Sequence, residues 1–545
     1  MKAQLLALGA VLATHLVAAE TPDVEAQGFP GFPDFPKIPF PGDWYNNFRQ
    51  VTPEKLIWHI GIKDLMAGAK KLEGIAYTTP DRNRVFGTKA HNDTVDYLVR
   101  ELQRTHYYDV VKQKQIHLWS MSNATFKVNG KDTEVTPMTY SPSGQSKADI
   151  VLVNNLGCVA EDFPPEVNGK IALILRGDCT FGLKSALAGS AKAVGALIYN
   201  NIPGPLSGTL GSPSDPNGPY PPTVGVSKEI GDDLAARAGS ETLTGELLAH
   251  SEFQNRTTFN VIATSKGGDK NNIIAIGGHT DSVEAGPGIN DDGSGIIGNL
   301  IIAKALARFK VPNAVRFLFW TAEEYGLLGS QYYVDNLTPQ ERDKIRLYLN
   351  FDMTASPNYA NMIYDGDGST FNVTGPAGSA EIEKLFQKYY EDRKQPHIPT
   401  EFDGRSDYDA FISVGIPSGG IFTGAEGIKT EEQAKMFGGT AGIAYDVNYH
   451  GKGDNVTNIN KDAWLLNTKG AAYVLATYAR STKGLPPKDP PPKDENQARS
   501  LGRYRGVKPF NGRVVEGGSL RSYEMKYMLI FVSLLVAAGW NASRG

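Results

Sequence analysis

The stretch from Ile273 to Glu324 most constrains what this chain can fold into. An apolar run, IIAIGG, ends at His279, and a glycine-rich turn, GINDDGSG, follows before a helix-like segment. A second apolar run, VRFLFW, begins at Val315. Short apolar runs bounded by turn residues predict buried strands, and a helical segment between two of them predicts a parallel pair joined by a crossover. The stretch therefore predicts an α/β fold with a mainly parallel sheet.

Acidic side chains and one histidine follow the predicted strands. Ligand-binding groups gather at the carboxyl ends of strands in open α/β sheets. One imidazole and several carboxylates at such an edge predict a divalent metal, and the histidine favours zinc. The third strand of the set is LYLNFDM. The candidate residues in chain order are His279, Asp281, Asp291, Glu323, Glu324 and Asp352.

A second candidate histidine, His450, lies in AYDVNYHGKGDN, among turn-forming residues and acids. His15 would leave with an amino-terminal signal. The other histidines have fewer acidic and glycine-rich neighbours, and each is predicted to lie at the surface or to pack in the core. These are His59, His91, His106, His117, His250 and His397.

Together, His279-x-Asp281, the GINDDGSG loop, TAEE, NFD and the YH pair resemble the secreted and vacuolar co-catalytic zinc aminopeptidases. The order of parts is most similar to that of the fungal leucine aminopeptidases, and the resemblance covers nearly the whole chain between its two ends. It implies two zinc ions per chain. It also implies the ligands: His279 and Asp352 on one zinc, Glu324 and His450 on the other, and Asp291 bridging both.

The same resemblance implies the remaining roles. Glu323 would be the general base acting on a water that bridges the metals, and Asp281 would support His279. Tyr449 would stabilise the developing oxyanion, and Arg405 in GRSDYDAF would help to orient the substrate. The peptide bond after Asp291 would be cis. For these residues the alternatives are an acidic helix start for the glutamate, a packed aromatic ring for the tyrosine and a surface salt bridge for the arginine.

The charges of the implied centre balance. Two zinc ions bring four positive charges, and the three carboxylates of Asp291, Glu324 and Asp352 with a hydroxide bring four negative ones. Neutrality suits a partly buried site because uncompensated buried charge is costly.

The chain of 545 residues exceeds the size of one domain. IALILRGDCTFGLKSALAGSAKAVGALIYNN predicts strand, helix and strand within an insert that resembles a protease-associated domain. Helical spacing predicts helices over Leu56–Leu72 and Ala90–Leu102. The predicted segments are a signal peptide (1–19), a Pro/Phe-rich leader or pro-segment (20–52), the first part of the peptidase domain (53–135), a β-rich insert (136–248), the zinc peptidase domain (257–481) and a Pro-rich linker with a tail (482–545).

Several features predict a secreted protein. Residues 1–19 have the charged, apolar and small-residue order of a secretory signal. In an oxidising compartment, Cys158 and Cys179 favour a disulfide over two buried thiols. Vacuolar residence and a lipid anchor on the apolar tail are the alternatives. Glycosylation sequons stand at Asn92, Asn123, Asn255, Asn336, Asn372, Asn455 and Asn541.

The function that these features predict is release of leucine and other apolar residues from peptides with a free amino terminus. A net charge of −4 and the lack of a basic patch argue against nucleic-acid binding. A membrane span is not expected, because the carboxyl-terminal apolar run is too short. The protein is expected to be a monomer. Two alternatives stay open, a carboxypeptidase or dipeptidase on the same scaffold and a non-catalytic receptor. Glutaminyl cyclases share the scaffold, but the five implied ligands argue against their single-zinc arrangement.

Overall fold

The computed structural model describes residues 48–201, 204–206 and 208–488. The predicted signal peptide, residues 20–47 of the predicted leader and residues 489–545 lie outside the described residues, as does Asn541.

The described residues form one large sheet. Its fourteen strands are β1 (Tyr108–Val128), β2 (Lys131–Thr133), β3 (Thr136–Pro137), β4 (Gly144–Leu152), β5 (Ile171–Leu175), β6 (Gly195–Tyr199), β7 (Thr223–Val226), β8 (Thr244–Ser265), β9 (Asp269–His279), β10 (Asn313–Trp320), β11 (Ile345–Phe351), β12 (Met362–Tyr364), β13 (Ile398–Thr400) and β14 (Ser418–Phe422).

Twelve α-helices accompany the sheet in the described part of the chain. They are α1 (Pro53–Trp58), α2 (Ile62–Ala76), α3 (Lys89–Arg104), α4 (Phe181–Ser190), α5 (Lys228–Ala238), α6 (Gly293–Leu306), α7 (Leu328–Asp335), α8 (Pro339–Lys344), α9 (Ser379–Glu391), α10 (Tyr408–Ile412), α11 (Glu431–Phe437) and α12 (Lys461–Arg480).

The order of the strands places the predicted site strands together. The path is β13-β12-β14-β11-β9-β10-β8-β4-β5-β6-β7-β3, with β1 paired to β8 and β2 to β1. Strands β14, β11, β9 and β10 are parallel, whereas β12 and β8 run antiparallel to their neighbours β14 and β10. The predicted α/β class with a mainly parallel core is confirmed.

Helix α6 and strand β9 form the centre of the core. Every residue of α6 is buried, and the last seven residues of β9 are buried as well. A strand that is covered on both faces carries a continuous apolar run rather than an alternating one. This explains why IIAIGG could be recognised as a buried strand.

The insert contains the predicted strand–helix–strand unit as β5, α4 and β6, with β5 and β6 parallel. Thr180 caps α4 by accepting a hydrogen bond from the backbone of Leu183. Cys158 and Cys179 form a disulfide bond, as predicted, and Cys179 lies in the loop between β5 and α4.

A long two-stranded ribbon joins the insert to the peptidase part. β1 and β8 pair along their whole length, from Tyr108 opposite Ser265 to Val128 opposite Gly245. β8 therefore runs without a break from the predicted insert into the predicted peptidase domain. The continuity arises because β4 of the insert and β10 of the peptidase part pair with different segments of the same strand. The segment boundaries themselves stay predictions.

One predicted helix differs in the structure. The segment Leu56–Leu72 is not a single helix but parts of α1 and α2, separated at His59–Gly61. Gly61 has an extended backbone (φ −126°, ψ 146°), which a continuing helix excludes. The predicted helix at Ala90–Leu102 lies within α3.

Candidate metal centre

Three adjacent strands bring the candidate ligands to one edge of the sheet. His279 is the last residue of β9, and Asp352 directly follows β11. Glu323 and Glu324 lie just beyond β10. Because the three strands are neighbours and parallel, their carboxyl ends meet at the same edge.

Asp291 lies between the two candidate histidines. Its Oδ1 is 3.1 Å from Nε2 of His279, and its Oδ2 is 3.0 Å from Nε2 of His450. One carboxylate thus presents an oxygen to each imidazole, which is the arrangement that a bridging ligand requires.

Each histidine has a second carboxylate beside it. Nε2 of His279 is 3.5 Å from Oδ1 of Asp352, and Nε2 of His450 is 3.1 Å from Oε2 of Glu324. Glu323 is nearer the first group, with Oε2 at 3.9 Å from Nε2 of His279. These residues are buried, apart from a small exposed part of His450.

Asp292 ties the loop that carries Asp291 to its surroundings. Its carboxylate accepts hydrogen bonds from the backbone of His279, Gly295 and Met353. A Cβ on Gly278 would lie 2.4 Å from this carboxylate, so a side chain at Gly278 would displace it. The peptide bond between Asp291 and Asp292 is cis, as the resemblance implies.

The backbone next to three candidate ligands lies in the left-handed region. Ala322 (φ +53°) precedes the two glutamates, Met353 (φ +53°) follows Asp352, and His450 itself has φ +55°. Non-glycine residues adopt this conformation uncommonly, and such positions cluster at functional sites. The chain turns sharply at these points, which directs the candidate ligands toward a common centre.

Asp281 holds the glutamate pair and faces the first histidine. Its Oδ1 accepts a hydrogen bond from the backbone N–H of Glu323 (3.1 Å), and its Oδ2 accepts one from Glu324 (3.3 Å). Its Oδ1 is also 3.7 Å from Nδ1 of His279. A carboxylate in this position orients an imidazole ligand and raises its basicity.

Sequence reasoning missed Ser406, which lies beside the arginine singled out in GRSDYDAF. Ser406 donates a hydrogen bond of 2.6 Å to Oδ2 of Asp352 and accepts one from Nδ2 of Asn350. Asn350 in turn accepts from the hydroxyl of Tyr348, which accepts from the indole of Trp320. A buried chain of four hydrogen bonds therefore orients Asp352. The serine lies within that motif, which was the signal in the sequence that could have identified it.

Sequence reasoning also missed Arg84, which is fully buried. Its guanidinium donates to the carbonyl oxygens of Thr280, Pro287 and Gly288, in the loop between His279 and Asp291. His91 contacts the same loop, since its Nε2 is 2.9 Å from the hydroxyl of Thr280. These groups from the amino-terminal part secure the ligand-bearing loop, and no local pattern in the sequence marks them.

A third missed residue, Asp454, holds the backbone at Asp291. Asp454 accepts hydrogen bonds from the backbone of Asn290 (2.7 Å) and Asp291 (3.0 Å). Burial raises the pKa of Asp454 to about 8, and the charge of Asp446 adds to the rise. Asp454 stands four residues beyond His450, so it lies within the segment already singled out in the sequence.

Tyr449 and Arg405 lie together beside the centre. The guanidinium of Arg405 donates to the hydroxyl of Tyr449 (3.2 Å) and pairs with the carboxylate of Glu426 (3.0 Å). Burial raises the pKa of Tyr449 well above its usual range, despite the opposing effect of Arg405. The phenol therefore keeps its proton, and it can accept from the guanidinium while donating elsewhere.

A small cavity opens onto the candidate ligands. Its lining combines the carboxylates of Asp291, Glu323, Glu324 and Asp352 with apolar and aromatic side chains. These are Met353, Tyr364, Phe422 and Ala425. We call this space the apolar cavity.

The electrostatics of the centre call for positive charge. Burial alone would lower the pKa of His450, but Glu324 and Asp291 outweigh it and raise the pKa to about 10. His279 behaves similarly, because Glu323 and Asp352 raise its pKa well above the usual value. The carboxylates thus generate a strongly negative potential that a cation would relieve.

Several buried atoms of the site make no hydrogen bond among the described residues. They are Nδ1 and Nε2 of His279, Oε1 of Glu324, Oδ1 of Asp352 and Nδ1 of His450. Buried polar atoms nearly always have a partner. Donor atoms of His279, Glu323 and Asp352 lie within 4.8 Å of one another, as do those of His279, Asp291 and Glu324. Imidazole and carboxylate donors in this arrangement fit zinc.

Comparison with family models and curated proteins gives concordant matches. Residues 260–475 match the model described as Peptidase family M28, and residues 146–234 match the PA domain. The probable leucine aminopeptidase 2 of Aspergillus oryzae is 57% identical over 464 residues, which cover 85% of this chain and 92% of that protein. The probable leucine aminopeptidase 2 of Aspergillus fumigatus is 59% identical over 440 residues, covering 81% and 88%.

Solved structures resemble the fold as well. The aminopeptidase from Aneurinibacillus sp. strain AM-1 has a TM-score of 0.65 and 28% identity, covering 80% of this chain and 98% of that one. A structure of BSAP, a zinc aminopeptidase from Bacillus subtilis, has a TM-score of 0.57 and 26% identity, covering 78% and 96%. The likeness extends over most of the described residues.

Proposed function

The chain belongs to peptidase family M28 and is a zinc aminopeptidase, and we propose that it holds two zinc ions and releases leucine and other apolar residues from the amino terminus of peptides. The position of Asp291 carries the proposal. One buried carboxylate faces two imidazoles at 3.1 and 3.0 Å, and each imidazole has a further carboxylate beside it. This arrangement suits two metal ions that share a ligand.

The proposed ligands divide into two sets. His279 and Asp352 would hold one zinc, His450 and Glu324 the other, and Asp291 both. Zinc, when bound, supplies positive charge that polarises a carbonyl group and lowers the pKa of a water molecule. Asp281 and the chain of hydrogen bonds through Ser406 would keep His279 and Asp352 in their orientations.

The proposed acid–base group is Glu323. Asp281 holds its backbone in place, and its side chain lines the apolar cavity among the ligands. From there the carboxylate would take a proton from the attacking water and return it to the leaving amine. Tyr449 lines the same cavity, and because Arg405 donates to its hydroxyl, the hydrogen of that hydroxyl is available for an oxyanion.

The walls of the apolar cavity support the proposed substrate. Met353, Tyr364, Phe422 and Ala425 offer an apolar environment for a leucine-like side chain. Glu401 and Asp403 add acidic groups beyond the proposed ligands, which favours a positively charged amino terminus. Arg405 is the cation among the described lining residues, and it pairs with Glu426. This balance disfavours the carboxypeptidase alternative, whose substrate brings a carboxylate.

We also propose that the protein is secreted. The disulfide between Cys158 and Cys179 fits an oxidising compartment. The sequon asparagines Asn123, Asn255, Asn336 and Asn372 are exposed, whereas Asn92 and Asn455 are partly buried. Within the described residues, no helix combines the length and apolar character needed to cross a membrane. Vacuolar residence, a lipid anchor and the expected monomeric state are left for experiment.

The test of the activity uses leucine p-nitroanilide and its N-acetyl derivative. We expect cleavage of the free-amine substrate alone, its loss with a chelator and its return with zinc. Metal analysis of the reloaded protein should give two zinc ions per chain. A single zinc at full activity would contradict the shared-ligand arrangement. Cleavage of carboxyl-terminal residues with neither anilide cleaved would instead favour the carboxypeptidase alternative.

A further inference from the structure

A second cavity, of about 740 Å³, lies on the other side of the metal centre. The apolar cavity takes Tyr364 from β12, Thr400 from β13 and Phe422 from β14, all on the β11 side of β9. The second cavity takes Trp119 and Met121 from β1. Since β1 pairs with β8 and β8 with β10, these residues lie on the opposite side of the ligand-bearing strands.

The second cavity is at the same edge of the sheet as the metal centre. β8 is antiparallel to β10, and Phe319 pairs with Val261 near the carboxyl end of β10. Residues of β8 that precede Val261 therefore extend beyond this end. Arg256, which lines the second cavity, is one of them. The ribbon of β1 and β8 rises from the edge where the ligands converge.

The segments that carry the proposed ligands form the wall between the two cavities. Ala285, Gly286 and Pro287, which line the second cavity, belong to the loop between His279 and Asp291. A Cβ on Gly286 would lie 2.0 Å from the carbonyl oxygen of Gly451, so this loop packs directly on the segment after His450.

Two further residues connect this wall with the second cavity. Lys452 lines the cavity two residues beyond His450. Tyr325, next to Glu324, donates to the carboxylate of Glu284 on the cavity wall. The apolar cavity and the second cavity therefore lie on either side of the segments that carry the proposed ligands.

The chemistry of the second cavity differs from that of the first. The guanidinium of Arg256 stacks 3.6 Å from the ring centroid of Trp119, which fixes its position. Arg82 lies 5.1 Å from the ring centroid of Tyr77, and Lys452 is exposed. Within the described part of the chain, none of these three cations forms an ion pair.

Two acidic side chains, Asp81 and Glu284, share the lining with the three cations. Glu284 already accepts hydrogen bonds from Trp119 (2.8 Å) and Tyr325 (3.2 Å). Burial raises the pKa of Glu284 to about 7, which reduces its negative charge near neutral pH. The balance in the second cavity is therefore positive, and its unpaired cations suit a carboxylate.

We propose that the second cavity receives the part of the peptide that follows the scissile bond, and that Arg82, Arg256 and Lys452 recognise a carboxylate there. The inference rests on the proposed function. The carboxylate can be the carboxyl terminus of a short peptide or an acidic side chain, since both present the same group.

The test compares peptides that differ only in this charge. Zinc-loaded full-length enzyme is assayed on Leu-Gly, Leu-Gly-Gly and Leu-Gly-Gly-Gly and on their carboxyl-terminal amides. Each residue of an extended peptide spans about 3.3–3.6 Å, so the series moves the carboxylate stepwise through the cavity. We expect KM to be about tenfold lower for the acid than for the amide at the best length, with similar kcat.

A second pair, Leu-Glu-amide and Leu-Gln-amide, places the charge on a side chain. A lower KM for the glutamate peptide supports the proposal and identifies a side chain as the source. A lower KM for free carboxyl termini alone supports it and identifies the terminus. Equal KM values in every pair would overturn it.

The variants are Lys452→Gln and Arg82→Gln, singly and together. They keep the packing of Arg256 on Trp119 intact. The double variant should lower the ratio of KM for amide to KM for acid toward one, with Arg256 accounting for the part that remains, whereas a ratio equal to that of the native enzyme would contradict the assignment. The matched control is Lys114→Gln, which removes an exposed cation from β1 outside the cavity and should keep the native ratio.

The outcome of the leucine anilide assay keeps the two proposals separate. If the anilide is not cleaved, the proposed function fails. If it is cleaved and no acid–amide pair differs, only the role of the second cavity fails.

Discussion

The insert and the peptidase region contain similar units in the same sheet, β5–α4–β6 and β9–α6–β10, each with two parallel strands around a helix. The loop after β5 leads to the disulfide at Cys179, and Arg176 beyond β5 donates to Asn200 beyond β6. The loop after β9 carries Asp281 and Asp291. Among the described residues, all groups of donors close enough to share a metal lie in the peptidase region.

The comparison shows that the fold alone does not make a site. Both units place loops at the carboxyl ends of parallel strands, and the chemistry depends on the side chains that converge there. In the insert, the loop after β5 contributes the disulfide, which stabilises the fold. In the peptidase region, Arg84 and Asp454 hold the corresponding loop, which carries the proposed ligand Asp291.

The largest expected effect is that of Glu323→Gln. We expect zinc binding to persist and the rate to fall by about 10²- to 10⁴-fold, because the positioned acid–base group is lost. Turnover and zinc content of the purified variant are the measurements. Glu166→Gln, an exposed change in the insert, is the control and should leave both unchanged. Native turnover with zinc bound would remove Glu323 from the role of general base.

Replacing both cysteines by serine should lower the stability of the protein and leave its activity unchanged. The disulfide closes a separation of 21 residues, and its loss should lower the free energy of unfolding by about 3 kcal/mol in the loop-entropy account. Chemical denaturation measures this change. Since both cysteines lie in the insert and neither is a proposed ligand, kcat/KM for leucine p-nitroanilide should not change at a temperature where the variant is folded. A large loss of kcat/KM would show that the insert takes part in the chemistry.

Ser406→Ala should weaken zinc binding. It removes the 2.6 Å hydrogen bond that orients Asp352, and partners of this kind contribute about 10- to 100-fold in metal affinity. Competition with a chelator measures the affinity. Ser240→Ala, in an exposed position of the insert, is the control. Unaltered affinity would mean that Asp352 is oriented without the serine.

The smallest expected effect concerns Glu284, where the peptidase loop meets Trp119 on the ribbon. The pKa of this carboxyl is about 7 in the folded protein, above its usual value of 4.5. Its stabilising contribution is therefore complete below pH 4.5 and is lost as the pH rises through 7.

Glu284→Gln should remove this dependence, because the amide oxygen still accepts from Trp119 and Tyr325. Near pH 8 the variant should be more stable than the native protein by about 1–2 kcal/mol. This value is reduced because water in the cavity screens the charge of Glu284. Near pH 4.5 the difference should vanish. Denaturation of both proteins across this range is the measurement, and parallel pH profiles would contradict the prediction.

Much of the architecture could be predicted because local patterns carry it. The buried strand that ends at His279 is a continuous apolar run. The unit β5–α4–β6 was predicted because its sequence has the pattern of a strand, then a helix, then a strand. The break between α1 and α2 was missed because the apolar spacing continues across it, while Gly61 adopts an extended backbone. The continuous β8 was missed because the residues around Asn255 are polar and include few turn-forming residues. Such a segment gives no sign of where a two-stranded ribbon ends.

The sequence by itself determined which residues stand at strand ends, and with the family resemblance it assigned each candidate ligand a role. Only the tertiary structure showed that Ser406 orients Asp352 across 54 residues and that Arg84 holds the ligand loop across 204. It also showed the charged cavity opposite the apolar one. Local periodicity reports burial within one element, whereas these contacts depend on which strands become neighbours, and that choice is made by packing of the whole sheet.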